Sequence, residues 1–311
     1  MALTQQADNL TTPASDPAAW RKRGETLELL GHSIFVIDSS RDDESRKDLP
    51  TILLIHGFPT SSWDWQPVWH ALSNDYRLIA LDMLGFGFSD KPVQHHYAIH
   101  GQADLVEALL TAKQVQNVHV LAHDYGDTVA QELLARQLDG SGVSQWQSCC
   151  FLNGGLFPET HRALLTQKLL LSPIGKWLNK LTGYKKFCTN FSSVFGSDTK
   201  PSQEALSQFW WLINQNDGKH VFHNLITYIR DRIVHRERWV NALQTSSMPL
   251  ALINGSVDPV SGEHMVRRYQ ELNCRLDYLA ELALIGHYPQ VEAPKEVGDH
   301  YLKFLSAIRQ A

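Results

Sequence analysis

The sequence predicts an α/β fold: a mostly parallel sheet with an N-terminal hairpin and a helical insertion ahead of its closing segment. Three observations carry this. Compact apolar runs recur as TILLIH (51–56), RLIALD (77–82), NVHVLAH (117–123), CCFLNGG (149–155) and PLALINGS (249–256). Runs this short, without polar alternation, suit strands covered on both faces, as in parallel sheets. Helical patterns separate them, most clearly over 98–113, where Ala103, Val106, Leu109 and Leu110 fall on one face. Strand, helix and strand in this order imply right-handed crossovers into one sheet.

Each element follows in order. The opening MALTQQADNLTTPASDPAAW lacks the basic and apolar regions of a signal peptide, so residues 1–24 read as a flexible tail. ETLELL (25–30) and SIFVI (33–37) read as two strands of a hairpin turning at Gly31-His32. The charged stretch from Arg41 to Asp48 reads as a solvated loop. Residues 25–155 and 244–311 then form the sheet-and-helix core. Between them, 156–243 shows no buried strand and reads as helices Leu164–Leu171, Gln203–Gln215 and Val221–Ile233, a cap over the sheet's carboxyl edge. A helix from Lys295 to Ile308 closes the chain.

Composition excludes several classes. The chain has 311 residues, 43% hydrophobic and 20% charged, enough apolar side chain for a sizeable core. A net charge of -5 and a pI near 6.3 exclude the basic balance of a nucleic-acid binder. No run approaches the roughly 18 apolar residues that span a bilayer. Four scattered cysteines make no disulfide framework, and adjacent Cys149 and Cys150 read as buried small hydrophobes. The cytoplasm is the expected compartment.

The chemistry centres on Leu121-Ala122-His123-Asp124-Tyr125-Gly126, where a strand ends and a helix begins. Small residues at Ala122 and Gly126 permit a sharp turn that presents the central side chain, the nucleophile-elbow pattern with Asp in place of Ser. A simpler role for Asp124 is the N-cap of the following helix. Three companions favour the nucleophile. His56-Gly57-Phe58-Pro59 follows the TILLI strand, where the backbone N–H of Phe58 can join that of Tyr125 as an oxyanion hole. Asp258 lies in a loop just past a buried strand and His287 in a loop before the last helix, in the order nucleophile, acid, histidine. His56, Gly57, Pro59 and His123 are expected to support this site structurally. His95, His96 and His100 lack a completing carboxylate or Cys, so no metal is expected. Arg230, Arg232, Arg236 and Arg238 read as a solvated basic stripe, and no cofactor motif is present.

These motifs resemble the α/β-hydrolase superfamily, its epoxide-hydrolase-like branch, and within that the mesoderm-specific transcript protein family. HGFPTSSWDW, ALDMLGFGFSDKP, HHYAI, HDYGDTVAQELL, NGGLFPETHR and HYPQVEAP carry the resemblance over residues 56–294. The mammalian member has a hydrophobic N-terminal anchor that these residues do not match, so membrane placement does not carry over. Asp127 is shared with that family. The resemblance implies an Asp124–His287–Asp258 triad acting on a small apolar substrate. A carboxylate attacking an acyl carbon would give an anhydride that reverts, whereas attack on an sp³ carbon gives an ester that water can cleave. The leaving group is then an epoxide oxygen or a halide. Haloalkane dehalogenases use side-chain N–H donors at positions held here by Tyr125 and Phe58, which have none. Epoxide hydrolases use cap tyrosines; Tyr228 stands where the second falls. Tyr184 is the candidate for the first, and Trp63 is a further candidate for contact with substrate. Opening of an epoxide is favoured, with dehalogenation or a non-catalytic binding role as alternatives.

Overall fold

The computed structural model describes residues 14–160, 162, 169–172, 175 and 183–310. Among them are strands β1 (Glu25–Leu29), β2 (His32–Asp38), β3 (Thr51–Ile55), β4 (Arg77–Leu81), β5 (Asn117–His123), β6 (Gln145–Leu152), β7 (Leu250–Gly255) and β8 (Tyr278–Leu282). They form one sheet in the order β1-β2-β4-β3-β5-β6-β7-β8. β2 is antiparallel to both β1 and β4, and the remaining pairings are parallel. The β1–β2 hairpin turns through Leu30 and Gly31, at φ 52° and 79°. Two successive positive φ values twist a two-residue turn the way the strands twist.

Helices among the described residues include α1 (Pro17–Arg23), α2 (Gln66–Ser73), α3 (Ile99–Ala112), α4 (Tyr125–Leu138), α5 (Tyr184–Ser192) and α6 (Gln203–Ile213). They continue as α7 (Phe222–Leu225), α8 (Tyr228–Val234), α9 (Arg236–Thr245), α10 (Glu263–Glu271), α11 (Pro289–Glu292) and α12 (Pro294–Gln310). Alternate side chains of β3 enter opposite layers. Leu53 and Ile55 pack with Leu109, Leu133 and Trp239, while Ile52 and Leu54 pack with Val68, Leu72 and Phe304. This two-sided burial is why the strand reads as an unbroken apolar run.

The structure corrects three expectations. Residues 17–23 are helical rather than a flexible tail: Asp16 accepts the Ala19 N–H at 2.8 Å and Pro17 starts the first turn. That helix buries Trp20 completely, edge-on to Trp69 at 5.0 Å, with its indole N–H on Ser62 Oγ at 3.1 Å. Val221–Ile233 is not one helix but the short α7 and α8. The expected cap boundary at 243 falls inside α9, whose Trp239 Nε1 donates to Glu132 of α4 at 2.8 Å. The expected helix Leu164–Leu171 lies largely outside the described residues. Trp20→Ala is expected to lower the unfolding free energy by about 3–5 kcal/mol. Urea denaturation checks this; a loss below about 1 kcal/mol would show that α1 adds nothing to the fold.

Candidate active site

The chain leaves β3, builds β4 on one side and returns as β5 on the other. Loops diverging at such a switch leave a crevice at the strands' carboxyl ends. Registers align Ile55 with Ala122, His123 with Leu152, and Gly255 with Leu282. The segments that carry Phe58, Asp124, Asp258 and His287 therefore start from neighbouring strand ends.

Asp124 occupies the turn between β5 and α4 at φ 47°, ψ -103°, a strained conformation for a non-glycine residue. The turn fits only because its neighbours are small. A Cβ on Gly126 would lie 2.3 Å from the Ile55 carbonyl oxygen, and one on Gly57 would lie 2.6 Å from His123 Nδ1. The Asp124 carboxylate does not cap α4, so the simpler role fails. Its Oδ2 accepts the Phe58 N–H at 3.0 Å instead. Tyr125 opens α4, leaving its own N–H without an intrahelical acceptor.

His287 Nδ1 lies 2.8 Å from Asp258 Oδ2, and its Nε2 lies 3.9 Å from Asp124 Oδ2. The longer separation exceeds a hydrogen bond but is one that a water can bridge. Burial opposes ionisation of Asp258, but His287 and donors from Val260 and Asn153 outweigh it and hold the carboxyl below its usual range. Asn153 Nδ2 reaches Asp258 Oδ2 at 3.0 Å; this residue was not foreseen, although it sits in the NGG string after a predicted strand. Burial pulls His287 down, yet Asp258 and Asp124 together raise it well above the ordinary imidazole value. For Asp124, burial again opposes charge; His287 and then Arg232 overcome it and lower the carboxyl.

The supporting residues fall around this group. His56 Nε2 accepts the Met83 N–H at 3.0 Å, which leaves Nδ1, 2.8 Å from the Gly57 carbonyl, to donate. His123 Nε2 lies 2.7 Å from the His287 carbonyl, and burial, followed by the His287 charge, lowers its pKa to about 4. A neutral His123 therefore steadies the His287 backbone. Pro59 follows Phe58 through a cis peptide bond. Glu292, also unforeseen, accepts N–H groups from Gly286, Tyr288 and Gly196 at 2.8–2.9 Å, tying the His287 loop to the segment before α6.

Tyr228 is fully buried, its ring 4.7 Å from that of Tyr125 and 6.4 Å from that of Phe58. Its hydroxyl has no hydrogen-bond partner among the described residues. The Tyr184 hydroxyl pairs with Ser207 Oγ at 3.0 Å in an exposed setting. Trp63 is buried and packs edge-on to Trp20 at 5.9 Å.

The solvated basic stripe is corrected at Arg232, while Arg230 is exposed. Arg236 pairs with Glu159, Arg238 with Glu132 and Asp139, and Arg232 is 1% exposed. Arg232 Nε donates to Thr128 Oγ1 at 2.8 Å, and its NH2 lies 3.3 Å from the Asp124 carbonyl and 3.9 Å from Asp124 Oδ1. Asp127 is also fully buried, with neither oxygen hydrogen-bonded among the described residues. Burial, then the Asp124 charge, raises its carboxyl well above the usual range, which favours the neutral acid.

Comparison with known proteins agrees with this architecture. Residues 50–154 match the family described as the alpha/beta hydrolase fold. Haloalkane dehalogenase DbeA from Bradyrhizobium elkani superposes with a TM-score of 0.76 at 20% identity, covering 92% of this chain and 98% of that one. A membrane phospholipase A, a bacterial virulence factor, superposes at 0.72 with 22% identity, covering 96% and 93%. The fold and the elbow between β5 and α4 define an α/β hydrolase. At the sequence level, the Bos taurus mesoderm-specific transcript homolog protein is 42% identical, over 96% of this chain and 91% of its own length. The Mus musculus mesoderm-specific transcript protein is 40% identical over the same shares. The chain belongs to the mesoderm-specific transcript family of α/β hydrolases.

Proposed function

We propose that this protein is a hydrolase that opens an epoxide to a diol through an ester on Asp124. The observation that carries the reading is the division of labour between the two Asp124 oxygens. Oδ2 rests on the Phe58 N–H, while Oδ1 accepts no hydrogen bond among the described residues. An oxygen with an unengaged lone pair is the better nucleophile. Oδ1 gives an electron pair to an oxirane carbon, the ring C–O bond breaks, and the ring oxygen leaves with that pair and takes the Tyr228 proton. Water then attacks the ester carbonyl as His287 removes one of its protons. The Phe58 and Tyr125 N–H groups receive the tetrahedral oxyanion. Collapse frees the second hydroxyl, which takes the His287 proton, while the remaining water proton restores Tyr228. Asp258 keeps the His287 tautomer and offsets the imidazolium. Water and side chains supply every proton, so no cofactor enters. We assign α5 to α8 as the cap above this site.

Halide displacement by the same carboxylate is the second reading. The unpartnered Tyr228 hydroxyl favours an oxygen leaving group, because an O–H can return a proton to an alkoxide whereas a halide needs none. A single turnover in ¹⁸O water separates ester formation from direct attack by water. The first diol is expected to be unlabelled, with the label in the Asp124 peptide on mass spectrometry. A labelled first product would overturn the reading.

A further inference from the structure

Arg232 stands outside the scheme above, yet it is buried and its NH2 lies 3.9 Å from the attacking oxygen, Asp124 Oδ1. Its guanidinium is fixed by Thr128 and the Asp124 carbonyl, and its Cζ stacks 4.5 Å from the centroid of the Tyr228 ring. Its NH1 is buried with no hydrogen-bond partner among the described residues, as is the Tyr228 hydroxyl. The guanidinium and the phenol ring thus stack on one another beside the Asp124 carboxylate.

The charge balance shows what this implies. Before reaction, Asp124 is the carboxylate within 4 Å of Arg232, its Oδ1 at 3.9 Å. Ester formation neutralises Asp124. A buried guanidinium left alone is strongly unfavourable. The negative charge has not disappeared, however; it has moved to the departing oxygen, and after proton transfer to the Tyr228 phenolate.

We infer that Arg232 is a catalytic residue of the ester-forming step, its unpaired NH1 receiving the negative charge that passes from Asp124 to the leaving oxygen and Tyr228. This rests on the ester reading above and adds a cation that follows the charge. The electron pair of the broken C–O bond stays on oxygen, the Tyr228 proton neutralises that oxygen, and Arg232 faces the resulting phenolate until water's second proton restores it. The substrate class narrows accordingly: its cleaved bond must release an anion that stays within reach of Arg232, as the tethered alkoxide of an oxirane does and a diffusing halide does not.

The test uses His287→Gln to hold the ester and follows intact mass after mixing with styrene oxide, trans-stilbene oxide and a long-chain 1,2-epoxide. Adding Arg232→Gln is expected to slow appearance of the adduct by about 10²–10³-fold, the range for losing one oxyanion donor. Arg232→Lys, which keeps the charge, should recover at least tenfold of that. In a chain with His287 intact, Arg232→Gln should change ester breakdown far less than ester formation, a split that a merely structural role would not produce. Equal adduct rates with and without Arg232, in protein with unaltered near-ultraviolet circular dichroism, would overturn this inference alone. Should Arg232→Gln fail to fold, Arg232→Lys and Tyr228→Phe are compared instead, and equal rates there overturn it. No adduct in His287→Gln itself with any of the epoxides would sink the ester reading and this inference with it.

Discussion

Asp124→Ala is expected to reduce epoxide turnover by about 10⁴-fold or more, equivalent to roughly 5.5 kcal/mol of lost transition-state stabilisation. The size follows from the role proposed for it. Without a carboxylate no ester forms, and the remaining route is water attacking carbon without covalent help. Tyr228 and the Phe58 N–H would still be present, so a small residual rate over solution is expected, as when one member of a triad is removed. The variant also leaves Arg232 without a carboxylate within 4 Å, because Oδ1 of Asp124 is 3.9 Å away in the native protein. Circular dichroism and a thermal midpoint must therefore accompany the assay, so that lost chemistry is separated from lost fold. Retention of more than about a tenth of wild-type turnover in folded protein would rule out Asp124 as nucleophile.

His287→Gln is expected to form the ester but not release it: one equivalent of epoxide is consumed, and steady turnover then falls by about 10³–10⁴-fold. The intact mass should rise by the mass of one epoxide. His287 touches the second step, through the Oδ2 of Asp124, so the first step should stay within about an order of magnitude of wild type. A pH experiment on the wild type carries the same logic. In the free enzyme, burial lowers the His287 pKa, but Asp258 and Asp124 outweigh it and raise it well above the ordinary value. Ester formation removes the Asp124 charge, the pKa falls, and the ring can act as a base when it is needed. Ester breakdown should therefore rise with pH through a pKa lower than that of the free enzyme. The free-enzyme value would be read from the His287 ring by nuclear magnetic resonance. A breakdown rate independent of pH, or a variant that turns over without accumulating adduct, would count against His287 as the base.

Much of the fold was legible because its signals are local. Strands buried on both faces need unbroken apolar runs, and TILLI and RLIAL are buried at every position. β8 was missed because its pattern is mixed, with Glu281 exposed between buried Ala280 and Leu282. Phe58, Asp124, Asp258 and His287 were legible for a related reason. The first three each follow the end of a strand that reads as an apolar run, and His287 sits in the loop before the closing helix; Gly126 marks where the backbone of Ile55 and His56 leaves no room for a side chain.

What the amino-acid order determined alone was the layering and the turn at Asp124, since hydrophobic period and steric allowance at a glycine act over a few residues. The tertiary structure decided which charges are buried and whom they meet. Arg232 and Arg236 look alike in the sequence, four positions apart on the same basic stretch. One is sealed against Asp124 and Thr128, and the other pairs with Glu159 nearer the surface. The same holds for Trp20, a lone aromatic in a polar segment until Ser62 and Trp69 surround it. Burial is set by partners distant in the chain, and electrostatics inside a protein depend on burial far more than on local composition.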